Sequence, residues 1–164
     1  MKYISLIFCS IFFLAYTTNA QSRKKIEKNN IQKIVEWETD YDESTKEIIK
    51  EEEFYNKEGR KVKEIEYNKA GKIKKVTKFT YNKDGQRIKV EKYNDKEQLE
   101  KYILYKYDGK QLISENYYKS NDKLYKSVEY KYNGKLKTEE LEKDSSGKPK
   151  EKKRLEYLHY PEKQ

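Results

Sequence analysis

Between residue 46 and residue 144, apolar and polar residues alternate in short runs, as in Lys61-Val62-Lys63-Glu64-Ile65-Glu66-Tyr67. Every run ends at a cluster of turn-forming residues. That period of two is the signature of strands with two unlike faces, and the clusters predict chain reversals. The best-formed clusters are Tyr55-Asn56-Lys57-Glu58-Gly59, Tyr67-Asn68-Lys69-Ala70-Gly71 and Tyr81-Asn82-Lys83-Asp84-Gly85. Weaker copies begin at Tyr41, Tyr93, Tyr107, Tyr118 and Tyr132. Asn at the first turn position and Gly at the fourth suit a type I hairpin closed by a left-handed residue. At Asp108-Gly109 and Asn133-Gly134 the loop is short enough for a two-residue type I′ turn. The pattern predicts an all-β, antiparallel up-and-down meander of about ten strands in a domain spanning residues 31–160.

Successive tyrosines are 14, 12, 14, 12, 14, 11 and 14 residues apart. The double period of about 26 residues places alternate turns on the same edge, as in a repeat-built array. Pairing Asn82 with Gln86 across its turn, and extending that rule, opposes Phe54 to Val62, Ile49 to Tyr67, Tyr67 to Ile73, Val90 to Tyr102, Ile88 to Leu104 and Leu104 to Ile113. The same registers oppose Glu53 to Lys63, Glu66 to Lys74 and Glu91 to Lys101. In these registers most apolar residues meet apolar residues and most acids meet bases, which stabilises cross-strand neighbours. Glu52 opposite Glu64 and Lys78 opposite Val62 or Val90 are the exceptions. Lysines interrupt both expected faces, so the sheet is expected to be a single layer, or thinly covered, with tyrosine bodies and lysine stems shielding aliphatic neighbours.

The N-terminus differs from the rest. Lys2 precedes an apolar run from Ile4 to Tyr16, followed by Thr18-Asn19-Ala20. This has the charge, length and small-residue ending of a secretory signal cleaved after Ala20. The run is too short to span a bilayer, which takes about 20 residues. Residues 21–30 are basic and nearly devoid of apolar side chains, and they are expected to form a flexible tail, as are residues 161–164. Cys9 lies within the apolar run and is the only cysteine. The mature chain would contain no disulfide, no cysteine nucleophile and no lipid anchor.

Charge sharpens this picture. Residues 21–164 carry 37 Lys and Arg against 29 Asp and Glu, with 15 tyrosines and a single alanine, Ala70. Such a polar composition approaches that of disordered chains, and the strand periodicity argues against disorder. Scarce alanine with abundant Tyr, Val and Ile favours strand.

The Tyr-Asn/Asp-x-x-Gly motifs at Tyr55, Tyr67 and Tyr81 resemble the YD-type repeats of RHS-like bacterial surface proteins. They are also similar to the short aromatic-glycine repeats of MORN-like exported proteins, although the Gly-Glu/Lys-Trp elements of those are missing. The likeness covers roughly residues 41–143. It implies a β-sheet array exposed on or outside the cell, and it carries over no functional residue.

Recognisable catalytic chemistry is absent from the sequence. His159 is the lone histidine, in a run from Leu155 to Tyr160 that reads as a terminal strand. There is no nucleophile elbow and no phosphate-binding Gly-rich loop. The carboxylates alternate with lysines as solvated ion-pair ladders, and Asp40-Tyr41-Asp42-Glu43 is a faint calcium-like cluster. No enzyme, metal or cofactor is expected, and no nucleic-acid partner outside the cell. Trp37 is expected to cap the first end of the array. The expected ligand surface is one face bearing Tyr55, Tyr67, Lys75, Phe79, Lys89 and Tyr93, where aromatic rings could stack on sugars and lysines attract anions. Acidic glycan or lipopolysaccharide would be its ligand. The alternative is a structural subunit that pairs through its edge strands with another envelope protein.

Overall fold

The computed structural model of the protein describes residues 15–42, 46–158 and 160. Most of the expected signal segment, His159 and the C-terminal tail lie outside the described residues. Ten strands follow one helix: α1 (Ala15–Lys28), then β1 (Lys33–Glu38), β2 (Ile48–Tyr55), β3 (Lys61–Tyr67), β4 (Ile73–Tyr81), β5 (Arg87–Tyr93), β6 (Leu99–Asp108), β7 (Gln111–Lys119), β8 (Leu124–Asn133), β9 (Leu136–Asp144) and β10 (Pro149–Arg154). They form a single antiparallel sheet in strict chain order. The expected all-β meander is the observed architecture. Among the described residues no helix is long and apolar enough to cross a membrane.

Turn chemistry follows the sequence closely. At Asn56, Asn68 and Asn82 the backbone N–H donates across the turn to the carbonyls of Arg60, Lys72 and Gln86, each at 2.9 Å. The asparagine Oδ1 then accepts the N–H of that same partner residue, at 2.9, 3.1 and 2.9 Å. This is why Asn or Asp occupies the first position: its side chain satisfies a backbone donor that the turn would otherwise leave unpaired. Glu97 and Asp122 take the left-handed conformation, with φ of 57° and 60°, that glycine takes in the better copies. The two short loops differ from expectation. Asp108 and Asn133 are the last residues of their strands, and only Gly109 and Gly134 have positive φ. A positive φ at the first central residue alone is the type II′ pattern rather than I′.

The expected register holds beside the turns that join β2 to β3, β3 to β4, β4 to β5 and β5 to β6 and then slips by one residue. At the short β6–β7 loop it already fails beside the turn, where Asp108 faces Gln111 and Tyr107 faces Leu112. Tyr67 faces Ile73 as expected, but Glu66 faces Lys75, leaving Lys74 as an extra residue. Phe54 likewise faces Lys63 with Val62 extra, and Val90 faces Ile103; Leu104 faces Asn116, three residues beyond the expected Ile113. A bulge of this kind interrupts all nine strand pairs. Each bulge adds right-handed twist, and twist is what a wide open sheet adopts in place of flatness. The slip also overturns most of the expected acid-to-base pairs: Glu53 faces Glu64, Glu91 faces Tyr102 and Lys92 faces Lys101, while Glu66 still meets a lysine, Lys75.

Following these registers across the sheet defines two faces. Glu52, Phe54, Lys63, Ile65, Val76, Lys78, Lys89, Glu91, Tyr93 and Tyr102 share one, the Val76 face. Glu51, Glu53, Glu64, Glu66, Lys75, Thr77, Phe79, Val90 and Val128 share the other, the Thr77 face. Ile65 and Val76 are buried on the first, Val90 and Val128 on the second. Apolar burial is therefore divided between two thin layers. Long side chains supply the cover: Lys78 Nζ lies 4.5 Å from the Tyr93 ring centre on one face, and Lys126 Nζ 4.7 Å from that of Tyr117 on the other. Cation–π contact and stem packing do here what a second layer does elsewhere.

A tyrosine ladder ties successive hairpins together along one edge. Tyr81, Tyr107, Tyr132 and Tyr157 donate their hydroxyls to the carbonyls of Lys61, Arg87, Leu112 and Lys137, at 2.8, 3.1, 3.0 and 2.8 Å. Each reaches back 20 residues, to the residue paired with the preceding tyrosine of the series. The amides of Gln86 and Gln111 join neighbouring turns on that edge by donating to the carbonyls of Gly109 and Gly134. Tyr157 extends the ladder past β10, so the run expected to be the terminal strand, Leu155 to Tyr160, lies after the true last strand, which starts at Pro149.

Residues expected to be a flexible tail belong instead to α1. Its C-terminus is closed by Asn30 at φ 50°, with Ile31 N–H donating to Ile26 O and Asn30 N–H to Glu27 O, both at 3.1 Å. This is a Schellman closure with asparagine in the left-handed position, and Lys25 and Lys28 in the last turn favour the helix dipole. Ile26 is buried. A Cβ on Gly59, in the β2–β3 turn, would lie 2.5 Å from Arg23 O and 2.9 Å from Glu27 N, so glycine permits the helix to touch the turn. Gly71 has the same positive φ and open space around it. Gly71→Ala should cost about 1 kcal/mol of left-handed strain. Gly59→Ala should cost more and also lose helical signal in far-UV circular dichroism, which comparison of the two melts and spectra checks.

Candidate functional site

The six expected ligand residues divide between the two faces. Tyr67, Lys89 and Tyr93 lie on the Val76 face, and Tyr55, Lys75 and Phe79 on the Thr77 face. The cause is the bulge: an extra residue after every turn reverses the inside-outside alternation that the sequence pattern carries unbroken. The six residues therefore make no single platform.

All six are engaged within the sheet. Tyr55 donates to Glu53, and burial followed by that bond pushes its hydroxyl pKa well above the usual tyrosine value. Tyr67 donates to Glu52 Oε2 at 3.0 Å. Glu52 also pairs with Lys33, and that bond holds its carboxyl below the ordinary glutamate range despite burial. Lys75 pairs with Glu66, and Lys89 bonds Glu91 at 2.8 Å while lying 5.1 Å from the Tyr102 ring centre. Lys78 covers Tyr93, and Arg87 covers Phe79 and Tyr105 at 5.9 and 5.1 Å.

The densest charge cluster lies elsewhere, on the Thr77 face. Glu51, Glu53 and Glu64 each present a carboxylate oxygen within 4.8 Å of the others. Lys61 sits among them, 2.8 Å from Glu64, 3.9 Å from Glu51 and in contact with Glu53. Burial by itself would lower the Lys61 pKa, but the bonds to Glu53 and Glu64 outweigh it and raise it. Burial and then Glu64 raise Glu51. At Glu53 burial acts in the same direction but is outweighed by the bonds to Lys61 and Tyr55, and the pKa falls below its ordinary value. The cluster already contains its cation, so its chemistry is that of an internal ion-pair network. In the faint calcium-like cluster, Asp40 is paired with Lys69 at 3.2 Å and Glu43 lies outside the described residues.

Three further sites stand out, of which the two sheet edges were expected only in kind, as pairing edges, and the third was not foreseen from sequence. The first is the outer edge of β1, where Ile34 and Trp37 are exposed, at 38% and 52%. Trp37 does not close the array; it lines a cleft of about 490 Å³ with Asp40, Tyr67 and Lys69. The second is the outer edge of β10, all of whose residues are exposed. The third is a row of lysines on the Thr77 face, in which Lys92 faces Lys101 and Lys101 faces Lys119. Correct register is the signal that finds this row.

No protein-family model matches the chain, and no curated protein matches it. Among solved structures, it resembles a protein of unknown function from Bacteroides fragilis at 15% identity and a TM-score of 0.44, over 78% of this chain and 96% of that one. It also aligns with part of the GtfA/B complex bound to UDP and GlcNAc, at 14% identity, TM-score 0.27 and 74% of this chain. A similar alignment is found with TarM, at 13%, 0.29 and 86%. The chain spans about a quarter of each of those two, 24% and 25%.

Proposed function

We propose that this protein is an exported, non-enzymatic module of the cell envelope or the extracellular space, acting as a stiff spacer that takes up a strand of another envelope protein at the outer edge of β1. The observation that supports this reading is the contrast between the two ends of the sheet. β10 begins with Pro149, which has no N–H to offer, and continues Lys150-Glu151-Lys152-Lys153-Arg154. Proline and dense charge are the devices that keep an edge from pairing. β1 reads Lys33-Ile34-Val35-Glu36-Trp37-Glu38, with no proline and with apolar side chains exposed beside its unpaired backbone. An edge of that kind accepts an added strand, the backbone supplying affinity and the side chains selectivity. Export rests on the signal pattern of residues 1–20, and Arg23, Ile26 and Glu27, which lie where α1 meets the sheet, all follow the expected cleavage point.

Photo-crosslinking in the native envelope tests the reading. A crosslinker at Val35 should capture one defined protein, one at Lys152 should capture none, and the mature protein recovered from the envelope should begin at Gln21. Ile34→Lys with Trp37→Lys, which guards the edge as β10 is guarded, should abolish capture without altering the strand spectrum. Equal capture from both edges, or capture that survives the guarded edge, would sink the proposal.

A further inference from the structure

Like charges directly opposite one another on neighbouring strands destabilise a sheet. Lys92, Lys101 and Lys119 break that rule twice in succession on β5, β6 and β7. Elsewhere crowded charges find other cover: Lys63 and Lys78 also face each other, but lie over the Phe54 and Tyr93 rings at 5.5 and 4.5 Å. Glu51, Glu53 and Glu64 receive Lys61; Glu139 meets Lys131 at 3.0 Å and Lys152 at 2.7 Å. Among the described residues, none of the three lysines in this row has a carboxylate within ion-pair distance. Lys92 is half-buried, and burial first, then Lys75 and Lys101, depress its pKa. Glu64 and Glu66 act on Lys92 in the opposite sense but more weakly, so the positive row persists at a cost in stability that no ion pair among the described residues offsets.

The surroundings indicate what would. Lys101 and Lys119 line a shallow cleft of about 440 Å³ together with Ser120, Asn121, Tyr125 and a single acid, Glu100. Tyr125 meets Tyr117 edge-on at 6.1 Å, which holds its ring beside the lysines. Ammonium groups pair with anionic substituents, a tyrosine face stacks on a pyranose ring, and an amide and a hydroxyl suit sugar hydroxyls. An anionic membrane would call for exposed apolar side chains to insert beside the charges, and this lining offers none. We infer that Lys92, Lys101 and Lys119 form a binding site for an anionic polysaccharide, whose sulfate, phosphate or carboxylate groups bridge the three ammonium groups while a sugar ring packs on Tyr125. The site goes beyond the edge-docking reading and does not depend on it.

Dextran sulfate is a suitable probe, titrated into the purified protein alongside uncharged dextran, inorganic sulfate and phosphatidylglycerol vesicles. Dextran sulfate should bind with an affinity that falls roughly tenfold between low and physiological salt, and uncharged dextran should not bind. Lys101→Gln with Lys119→Gln should weaken binding about tenfold or more, and Tyr125→Ala should weaken it with no change in charge. Lys57→Gln with Lys83→Gln removes the same charge from two exposed turns and should change affinity less than about twofold. Relief of the cross-strand repulsion should raise the melting temperature of the Lys101→Gln variant by about 2 °C. Equal losses from the two lysine pairs, tighter binding to vesicles than to polysaccharide, inorganic sulfate competing as well as the polymer, or a lowered melting temperature on neutralising Lys101 would each overturn the proposal.

Discussion

Lys61→Met should destabilise the protein by about 2 kcal/mol at pH 7, and the deficit should shrink as the solution is acidified. Removing one partner of a partly buried ion pair leaves the others uncompensated. The cost reaches about 3–5 kcal/mol in a closed interior and is smaller where water still has access. Lys61 keeps just over a quarter of its side chain exposed, 28%, so the lower figure applies. What remains after substitution is three carboxylates within 4.8 Å of one another. In the wild type, Glu53 has a folded pKa below its usual 4.5, so its contribution is present above that value and is lost as pH falls through the folded pKa. Without Lys61 the sign reverses. Mutual repulsion among the three then raises folded pKa values above the unfolded ones, so stability is fully present below the unfolded values and lost as pH rises through the folded ones. Urea melts of both proteins between about pH 4 and pH 8 should therefore converge at the acid end. Parallel curves would mean that Lys61 contributes packing alone.

Ile65→Ala should cost about 2–3 kcal/mol, near the lower end for a buried aliphatic truncation, because water can enter a space on a thin face. Ile65 is 7% exposed and faces Val76, at 4%, beside the buried Glu52. A sheet whose strands touch only their chain neighbours holds its stability in nearest-neighbour terms. The loss should therefore be local. Hydrogen exchange is expected to accelerate across β2 to β4 and to stay unchanged across β7 to β9. Uniform acceleration through β10 would instead make the ten strands one cooperative unit, with the tyrosine ladder as the coupling.

The spacing of Tyr-Asn-x-x-Gly clusters was enough to deduce strands, turns and chain-order pairing, because those depend on local conformational preference: asparagine at the first turn position, a left-handed residue at the fourth, β-branched and aromatic residues between. The two-sided thinness of the sheet was legible for the same reason, since lysines interrupt every apolar stripe. Helix α1 was not read from its basic composition, although Asn29-Asn30 carries a closing signal; what holds it is Ile26 and the space left by Gly59, a contact between distant segments. The face on which each side chain falls could not be read at all. It depends on one extra residue after each turn, a feature of how two strands pair that the period-two pattern of either strand alone does not display. That slip separates Tyr67, Lys89 and Tyr93 from Tyr55, Lys75 and Phe79, sets Glu53 against Glu64 around Lys61, and aligns Lys92, Lys101 and Lys119. The amino-acid sequence by itself thus determined the order and kind of elements, through local chemistry with a period of two. Only the tertiary structure decided which charges stand together, because register is a property of paired strands and not of any one of them.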